Sequence, residues 1–150
     1  MIYIGIDPGL VSGAWGAITH NGECVGCGDI PNNGTRVSPK CLKDALLGVA
    51  RGEDFQIVTE DVYSMPGQGH SSTYKFGRAV GVIETVCQML PGTWFVIHPA
   101  RWKRDMGVSS DKELCRIEAL TLFPTAEIRL KKHHNRAEAL LLAEWLRRQG

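Results

Sequence analysis

The first seven residues constrain the fold of this 150-residue chain more than any other segment. Ile2 to Ile6 form a short apolar run rich in β-branched residues, and Asp7-Pro8-Gly9 ends it. Such a run is typical of a buried strand, and because no basic leader precedes it we do not interpret it as a signal peptide. We expect one domain over residues 1–150, with the Asp7 carboxylate at the end of its first strand.

Strand and helix signals alternate along the rest of the chain. Asn21-Gly22 predicts a β-hairpin with a type I′ turn, because that turn needs positive φ at both central residues. The further predicted strands are 13–19, 23–30, 55–59 and 94–97. Helices are predicted after the cap residue Ser38, at about 72–90, from Ser110 to Phe123 and at about 135–148. This order predicts an α/β fold with a five-stranded mixed sheet flanked by helices.

Charge, cysteine content and hydropathy bear on three kinds of site: phosphate contacts, a zinc site and a membrane span. The net charge is +1, but residues 101–150 carry eleven Lys and Arg against seven Asp and Glu. Basic clusters of this kind can contact phosphates, although solvated helix faces would explain them equally well. Cys24 and Cys27 form a C-x-x-C motif without a second pair, which favours free thiols in a reducing cytoplasm over a zinc site. No apolar run is long enough to span a bilayer.

Acidic residues end two of the predicted strands. Asp7 closes the first and Glu60 the fourth, and ligands tend to bind where such strand ends meet. The last helix adds His134, Asn135 and Glu138, whose spacing of three and four residues places them on one helical face. Oxygen ligands of this kind suit Mg²⁺ or Mn²⁺, and two such ions about 4 Å apart can activate a water for phosphodiester hydrolysis.

Each of these residues also has an ordinary structural explanation. Asp7 could be a turn residue, and Glu60 a charge at a strand end. Glu138 could pair with Arg136 or Lys131. Spacing alone leaves both interpretations open.

Four blocks, in order along the chain, resemble the motifs of RuvC-type Holliday-junction resolvases, which have the RNase H-like fold. The residues that carry the resemblance are Ile4 to Gly9 with Ser12-Gly13, then Glu60 to Tyr63 with Ser72, Lys75 to Ala79 and Gly81, then Pro99, Trp102-Lys103, Gly107 and Asp111-Lys112, and finally Arg136 to Leu140. The short chain is more similar to the compact phage members than to the longer bacterial ones.

The resemblance implies a homodimer that nicks two opposed strands of a four-way DNA junction, in a bacterial or phage-infected cell. It assigns catalysis to Asp7, Glu60, Glu138, Lys112 and the position of Asn135. It also implies that Asp7, Glu60, Glu138 and a fourth residue bind two Mg²⁺ or Mn²⁺ ions per site.

The fourth ligand is where this sequence departs from the family pattern, which has Asp or His about one helical turn before Glu138. Three explanations stay open. His134 is the ligand, or Asn135 replaces an Asp in an engineered inactive variant, or the natural enzyme works with a weakened site.

The resemblance also implies where DNA is bound. Lys103 and Lys112 would lie near the scissile phosphate, and Tyr63 or Met65 would wedge open the junction centre. Trp102, flanked by basic residues, could stack on a sugar or base. The other predicted phosphate contacts are Lys75, Arg78, Arg101 and Arg104.

Three alternatives compete with junction resolution. An actin-like ATPase shares the fold and an Asp-x-Gly loop, but such proteins need two domains of this kind. A junction-binding protein without catalytic activity would be consistent with Asn135. A nuclease of the same fold that cleaves other branched DNA or RNA–DNA hybrids is the third.

Overall fold

The chain forms five strands and five α-helices, and a computed structural model describes all of its residues, 1–150. The strands are β1 (Ile2–Asp7), β2 (Ala14–Thr19), β3 (Cys24–Asp29), β4 (Phe55–Glu60) and β5 (Thr93–Ile97). The helices are α1 (Pro39–Ala50), α2 (His70–Met89), α3 (Pro99–Met106), α4 (Lys112–Leu122) and α5 (His134–Arg147), with a 3₁₀ turn at Lys131–His133. Pro99 therefore begins a helix where the sequence indicated only a short basic segment.

The strands form one mixed sheet in the order β3-β2-β1-β4-β5. β1 and β2 are antiparallel, as are β2 and β3, whereas β1 and β4 are parallel, as are β4 and β5. The predicted five-stranded mixed sheet flanked by helices is thus confirmed. Because Ile6 of β1 lies beside Thr59 of β4, the next residues, Asp7 and Glu60, reach the same edge of the sheet.

The two faces of the sheet are covered differently. The three isoleucines of β1 are buried under α1 and α2, in a cluster of large aliphatic side chains. On the opposite face α5 crosses β1 and β2 at glycines. A Cβ on Gly5 would collide with the backbone of Ala139 and Ala143, and one on Gly16 would lie 2.8 Å from the backbone nitrogen of Leu140. These glycines let α5 lie directly on the sheet.

α5 is the most enclosed helix of the chain. Every residue from Ala137 to Leu146 is buried, including the acidic residues Glu138 and Glu144. Its amino-terminal half passes the end of β1, so that the fold brings α5 side chains to Asp7. No helix combines the length and the apolarity that crossing a membrane requires.

The hairpin between β2 and β3 forms where it was predicted, but the predicted type I′ turn is wrong. Gly22 has a φ of 84°, whereas Asn21 has no positive φ. The Gly22 N–H donates to the Thr19 carbonyl at 2.9 Å, and the Glu23 N–H donates to the Thr19 hydroxyl at 3.1 Å. This is a longer loop in which glycine alone supplies the left-handed position.

α4 begins slightly later than the helix predicted from Ser110, at Lys112. Asp111, not Ser110, is the cap, and its Oδ1 accepts hydrogen bonds from the backbone N–H groups of Glu113 and Leu114 at 3.0 and 2.9 Å. The Glu113 carboxylate does not reach back to the cap but pairs with Arg116. A carboxylate at this position also interacts favourably with the helix dipole.

The five cysteines are free thiols. Burial is the main cause that raises the pKa of Cys24 to about 11 and the pKa of Cys87 and Cys115 to about 12. These groups are therefore neutral thiols at physiological pH.

Candidate active site

Acidic side chains from three elements lie near one another at the carboxyl edge of the central strands. Asp7 ends β1, Glu60 ends the adjacent β4, and Glu138 approaches from the beginning of α5. Asp7 and Glu60 are partly exposed, and Glu138 is 7% exposed. Pro8 ends β1 immediately after Asp7, because proline has no N–H to continue the strand pairing.

Burial and the neighbouring charges both act on the pKa of Asp7. Burial is the main cause that raises this pKa well above its usual range, and the negative charges of Glu60 and Glu138 raise it further. Lys112 and Lys103 lower the pKa of Asp7, but by less than burial and the two acids raise it. Asp7 therefore feels the charges of two other acids and two lysines.

Glu60 is held by an indole. Trp102 of α3 is completely buried, and its Nε1–H donates to Oε1 of Glu60 at 2.7 Å. Burial raises the pKa of Glu60, the Trp102 hydrogen bond lowers it, and the charge of Glu138 raises it again. The expectation that Trp102 stacks on a sugar or base is wrong, because the ring has no exposed surface.

Glu138 pairs with the residue that follows Trp102. The Lys103 Nζ donates to Oε2 of Glu138 at 3.0 Å, and only 20% and 9% of the two side chains are exposed. Burial alone would lower the pKa of Lys103, but the ion pair with Glu138 and the nearby Glu60 raise it. Glu138 therefore does not pair with Arg136 or Lys131, the ordinary partners that the sequence suggested.

The residues before Glu138 make contacts of another kind. The His134 Nδ1 lies 3.2 Å from the Lys131 carbonyl, and its Nε2 lies 3.4 Å from the Lys112 Nζ. The Asn135 amide Nδ2 donates to the carbonyl of Ser12, in the loop that follows Asp7. Neither residue forms a hydrogen bond with an acid of the cluster.

The chemistry of these donors suits a hard divalent cation, since carboxylate oxygens are the ligands that Mg²⁺ and Mn²⁺ prefer. Such a cation would offset both the burial of Asp7 and the negative charges of Glu60 and Glu138 beside it. In the described conformation, however, no group of three or more His, Cys, Asp and Glu side chains is close enough to hold a metal ion. The ammonium of Lys103 provides the positive charge beside Glu138 instead.

The predicted phosphate contacts are spread over two helical regions. Lys112 is exposed beside the acidic cluster, and Arg101 and Arg104 are exposed on α3, where both lie near Asp105. On α2, Lys75 is exposed, whereas Arg78 is partly buried. The Arg78 guanidinium donates to the Thr35 carbonyl at 2.8 Å and lies over the ring of Tyr74.

The loop between β4 and α2 exposes both candidate wedge residues. Tyr63 is 63% exposed and Met65 is 66% exposed, so both side chains are accessible from solvent. The ring of Tyr63 stacks on His98, the residue before α3, with the ring centroids 6.2 Å apart. This contact links the loop to the helix that carries Trp102 and Lys103.

Sequence reasoning missed the partners of the acids. The Trp102–Glu60 and Asn135–Ser12 contacts join residues that are 42 and 123 positions apart, which no local pattern encodes. One signal was present for Trp102, since an indole with only one polar atom, placed in a basic helix, must face inward if the helix packs on the sheet.

At the level of sequence, neither a protein-family model nor a curated protein matches this chain. At the level of structure, it is similar to Thermus thermophilus RuvC solved in complex with a Holliday junction substrate, with a TM-score of 0.70 and 17% identity. The match covers 100% of this chain and 97% of that one. A second structure of Thermus thermophilus RuvC matches over the same shares, with a TM-score of 0.62 and 16% identity. The chain therefore has the RNase H-like fold of RuvC, as its motifs predicted.

Proposed function

We propose that this chain is a metal-dependent endonuclease, a crossover junction endodeoxyribonuclease, that resolves four-way DNA junctions by paired symmetric nicks. One observation carries the proposal: Asp7, Glu60 and Glu138 converge at the carboxyl edge of a RuvC-like sheet. Paired nicks need two such sites, and we propose that a homodimer supplies them.

Asp7, Glu60 and Glu138 would hold the metal ions. Two Mg²⁺ or Mn²⁺ ions supply, when bound, an activated water and stabilisation of the leaving oxygen. The repulsion among the acids supports this assignment, because nearby lysines only partly compensate it. Lys103 pairs with Glu138, whereas Lys112 is exposed and has no acidic partner, so it could approach a phosphate beside the cluster.

For the fourth ligand we favour His134, with Asn135 as the natural residue at its position. The Asn135 amide donates to the Ser12 carbonyl and ties α5 to the loop after β1. An Asp at position 135 would place carboxylate oxygens against that carbonyl, where no donor is available. His134 lies beside Lys112, at the rim of the cluster.

DNA contacts would come from the exposed basic residues around this edge. Arg101, Arg104, Lys112 and Lys75 are accessible to phosphates, so that affinity should fall steeply with salt. Arg78, which is engaged with Thr35, is the weakest of these candidates. Tyr63 and Met65 project from a loop beside α3, and we propose that one of them enters the junction centre.

A second candidate function is junction binding without cleavage. The Lys103–Glu138 ion pair favours it, because the ammonium occupies an oxygen that a metal ion would need. In this case the basic surface would still bind DNA, but Mg²⁺ would change nothing.

One experiment separates the candidates. The protein is incubated with a synthetic four-way junction, a linear duplex and an RNA–DNA hybrid, with and without Mg²⁺, and Asp7→Asn is the control. Symmetric nicks in the junction alone, dependent on Mg²⁺ and lost in Asp7→Asn, are expected. Binding without cleavage would favour the second candidate, and cleavage of the hybrid alone would contradict both.

A further inference from the structure

Helix α3 holds two of the three acids with adjacent residues. Trp102 donates to Glu60, which ends β4, and Lys103 donates to Glu138, which lies on α5. Adjacent helical residues point in directions about 100° apart, so one short helix reaches both acids from between the two elements. The Lys103 ammonium also lies 5.3 Å from the centre of the Trp102 ring.

The Lys103–Glu138 and Trp102–Glu60 contacts differ in how readily a bound cation could take the place of the donor. Lys103 is partly exposed, and its charge can be exchanged for that of another cation. Trp102 is completely buried in the cluster that α4 and α5 form on the sheet, together with Val58 and Ile97 of the strands. Packing of this kind fixes a side-chain rotamer, so the indole N–H has a single direction, and Glu60 must orient toward it.

The bond leaves half of the carboxylate free. The indole occupies Oε1 of Glu60, while no protein donor hydrogen-bonds to Oε2. Indole has one donor and no acceptor, so it can orient a carboxylate without competing for a cation. A carboxylate that is already oriented loses less conformational entropy when it binds a ligand.

We propose that Trp102 is a positioning residue that fixes Glu60 with Oε2 directed toward Asp7 for metal binding. The proposal rests on the proposed function, since it concerns the same acids. It assigns Trp102 a role that neither its basic neighbours nor its apolar surroundings indicate: it orients a ligand and does not touch the substrate.

The chain offers a matched control for this proposal. Trp145 of α5 belongs to the same apolar cluster, and its Nε1–H donates to a carboxylate oxygen of Asp105 at 3.1 Å, an acid that is not one of the three proposed metal ligands. Trp145→Phe and Trp102→Phe therefore remove the same type of bond and the same volume. A structural effect would appear in both variants, but a positioning effect only in Trp102→Phe.

The first test uses the metal-free protein and needs no catalysis. The four tryptophans give separate indole N–H signals in a ¹H–¹⁵N spectrum, and Trp102→Phe identifies one of them. Glu60→Gln should shift the Trp102 signal and leave the Trp145 signal in place. Titration of the wild type with Mg²⁺ should likewise shift the Trp102 signal. If Mg²⁺ moves no indole signal, or moves that of Trp145 equally, the proposal is wrong.

The second test measures cleavage of a four-way junction. We expect Trp102→Phe to lower kcat about tenfold with KM within about twofold, since the lost bond involves a charged acceptor. Trp145→Phe should cleave like the wild type at a comparable melting temperature. Equal kcat values in the two variants would overturn the positioning role but leave the proposed function intact. A wild type that cleaves no junction would overturn the proposed function itself.

Discussion

Two buried acids of α5 have opposite surroundings. Glu144, near the carboxyl end, accepts hydrogen bonds from Arg147 and Arg148 of the same segment at 2.7 and 2.8 Å. Burial alone would raise its pKa, but these bonds outweigh burial and hold the pKa below its ordinary value. Glu138, near the amino end, has one distant partner, Lys103, and two further acids nearby.

The difference separates an acid that stabilises the fold from one that is available for chemistry. The arginines that pair with Glu144 lie three and four residues after it, at the end of its own helix and just beyond, so these pairs are local to the helix. The acids around Glu138 leave negative charge uncompensated, which costs stability and favours cation binding. Burial is common to both acids, so the other acids near Glu138 are what distinguishes the site from the surroundings of Glu144.

The largest effect should come from replacing Glu138 with glutamine, and the same replacement of Glu144 is the control. Glu138→Gln is expected to lower the rate of junction cleavage by about 10³-fold, because a proposed metal ligand is lost. Glu144→Gln should retain the wild-type rate. Gel analysis of a labelled junction in Mg²⁺ checks both. Equal losses in the two variants would show that α5 matters only for folding.

Asn135→Asp adds a fourth acid to the cluster and tests whether further negative charge there destabilises the fold. Asn135→Asp is expected to lower the melting temperature by a few degrees, because the bond to Ser12 is lost and a charge is added near the others. It should not raise the rate of cleavage. A large gain in cleavage on Asn135→Asp would instead identify Asn135 as the replacement of a catalytic Asp.

Glu144 should matter most for stability. Glu144→Gln is expected to lower the free energy of unfolding by about 1–2 kcal/mol at pH 7, since two arginines lose their charged partner. Because the pKa of Glu144 is lowered in the folded state, its contribution is present above the unfolded pKa and is lost as pH falls through the folded pKa. Urea unfolding of both proteins at pH 7 and pH 3 should show the difference shrink.

Ionisation of Asp7 should lower the free energy of unfolding, whereas ionisation of Glu144 raises it, and the effect of Asp7 should be smaller. Its pKa is raised in the folded state, so its full stability is present below the unfolded pKa and is lost as pH rises toward the folded pKa. Asp7→Asn, which cannot ionise, is expected to gain about 1 kcal/mol at pH 7 and nothing near pH 3. A variant that is less stable than the wild type at pH 7 would contradict this account of the cluster.

The sequence predicted the elements and the acids better than their partners. The apolar run before Asp7 and the helical spacing up to Glu138 depend on local periodicity, which a sequence displays directly. The position of Trp102 depends on how α3 rotates against the sheet, and the turn at Gly22 depends on the twist of two strands. Both depend on tertiary packing, so local patterns gave no prediction of the Trp102–Glu60 bond and a wrong one for the turn type at Gly22.

Metal binding in the absence of DNA tests the central claim most directly. Calorimetric titration with Mn²⁺ is carried out on the wild type, Glu138→Gln and Glu144→Gln at pH 7. We predict that the wild type and Glu144→Gln bind with the same affinity, and that Glu138→Gln binds at least about tenfold more weakly. A wild type that does not bind Mn²⁺, or Glu138→Gln binding as tightly as the wild type, would contradict the claim that these acids form a metal site.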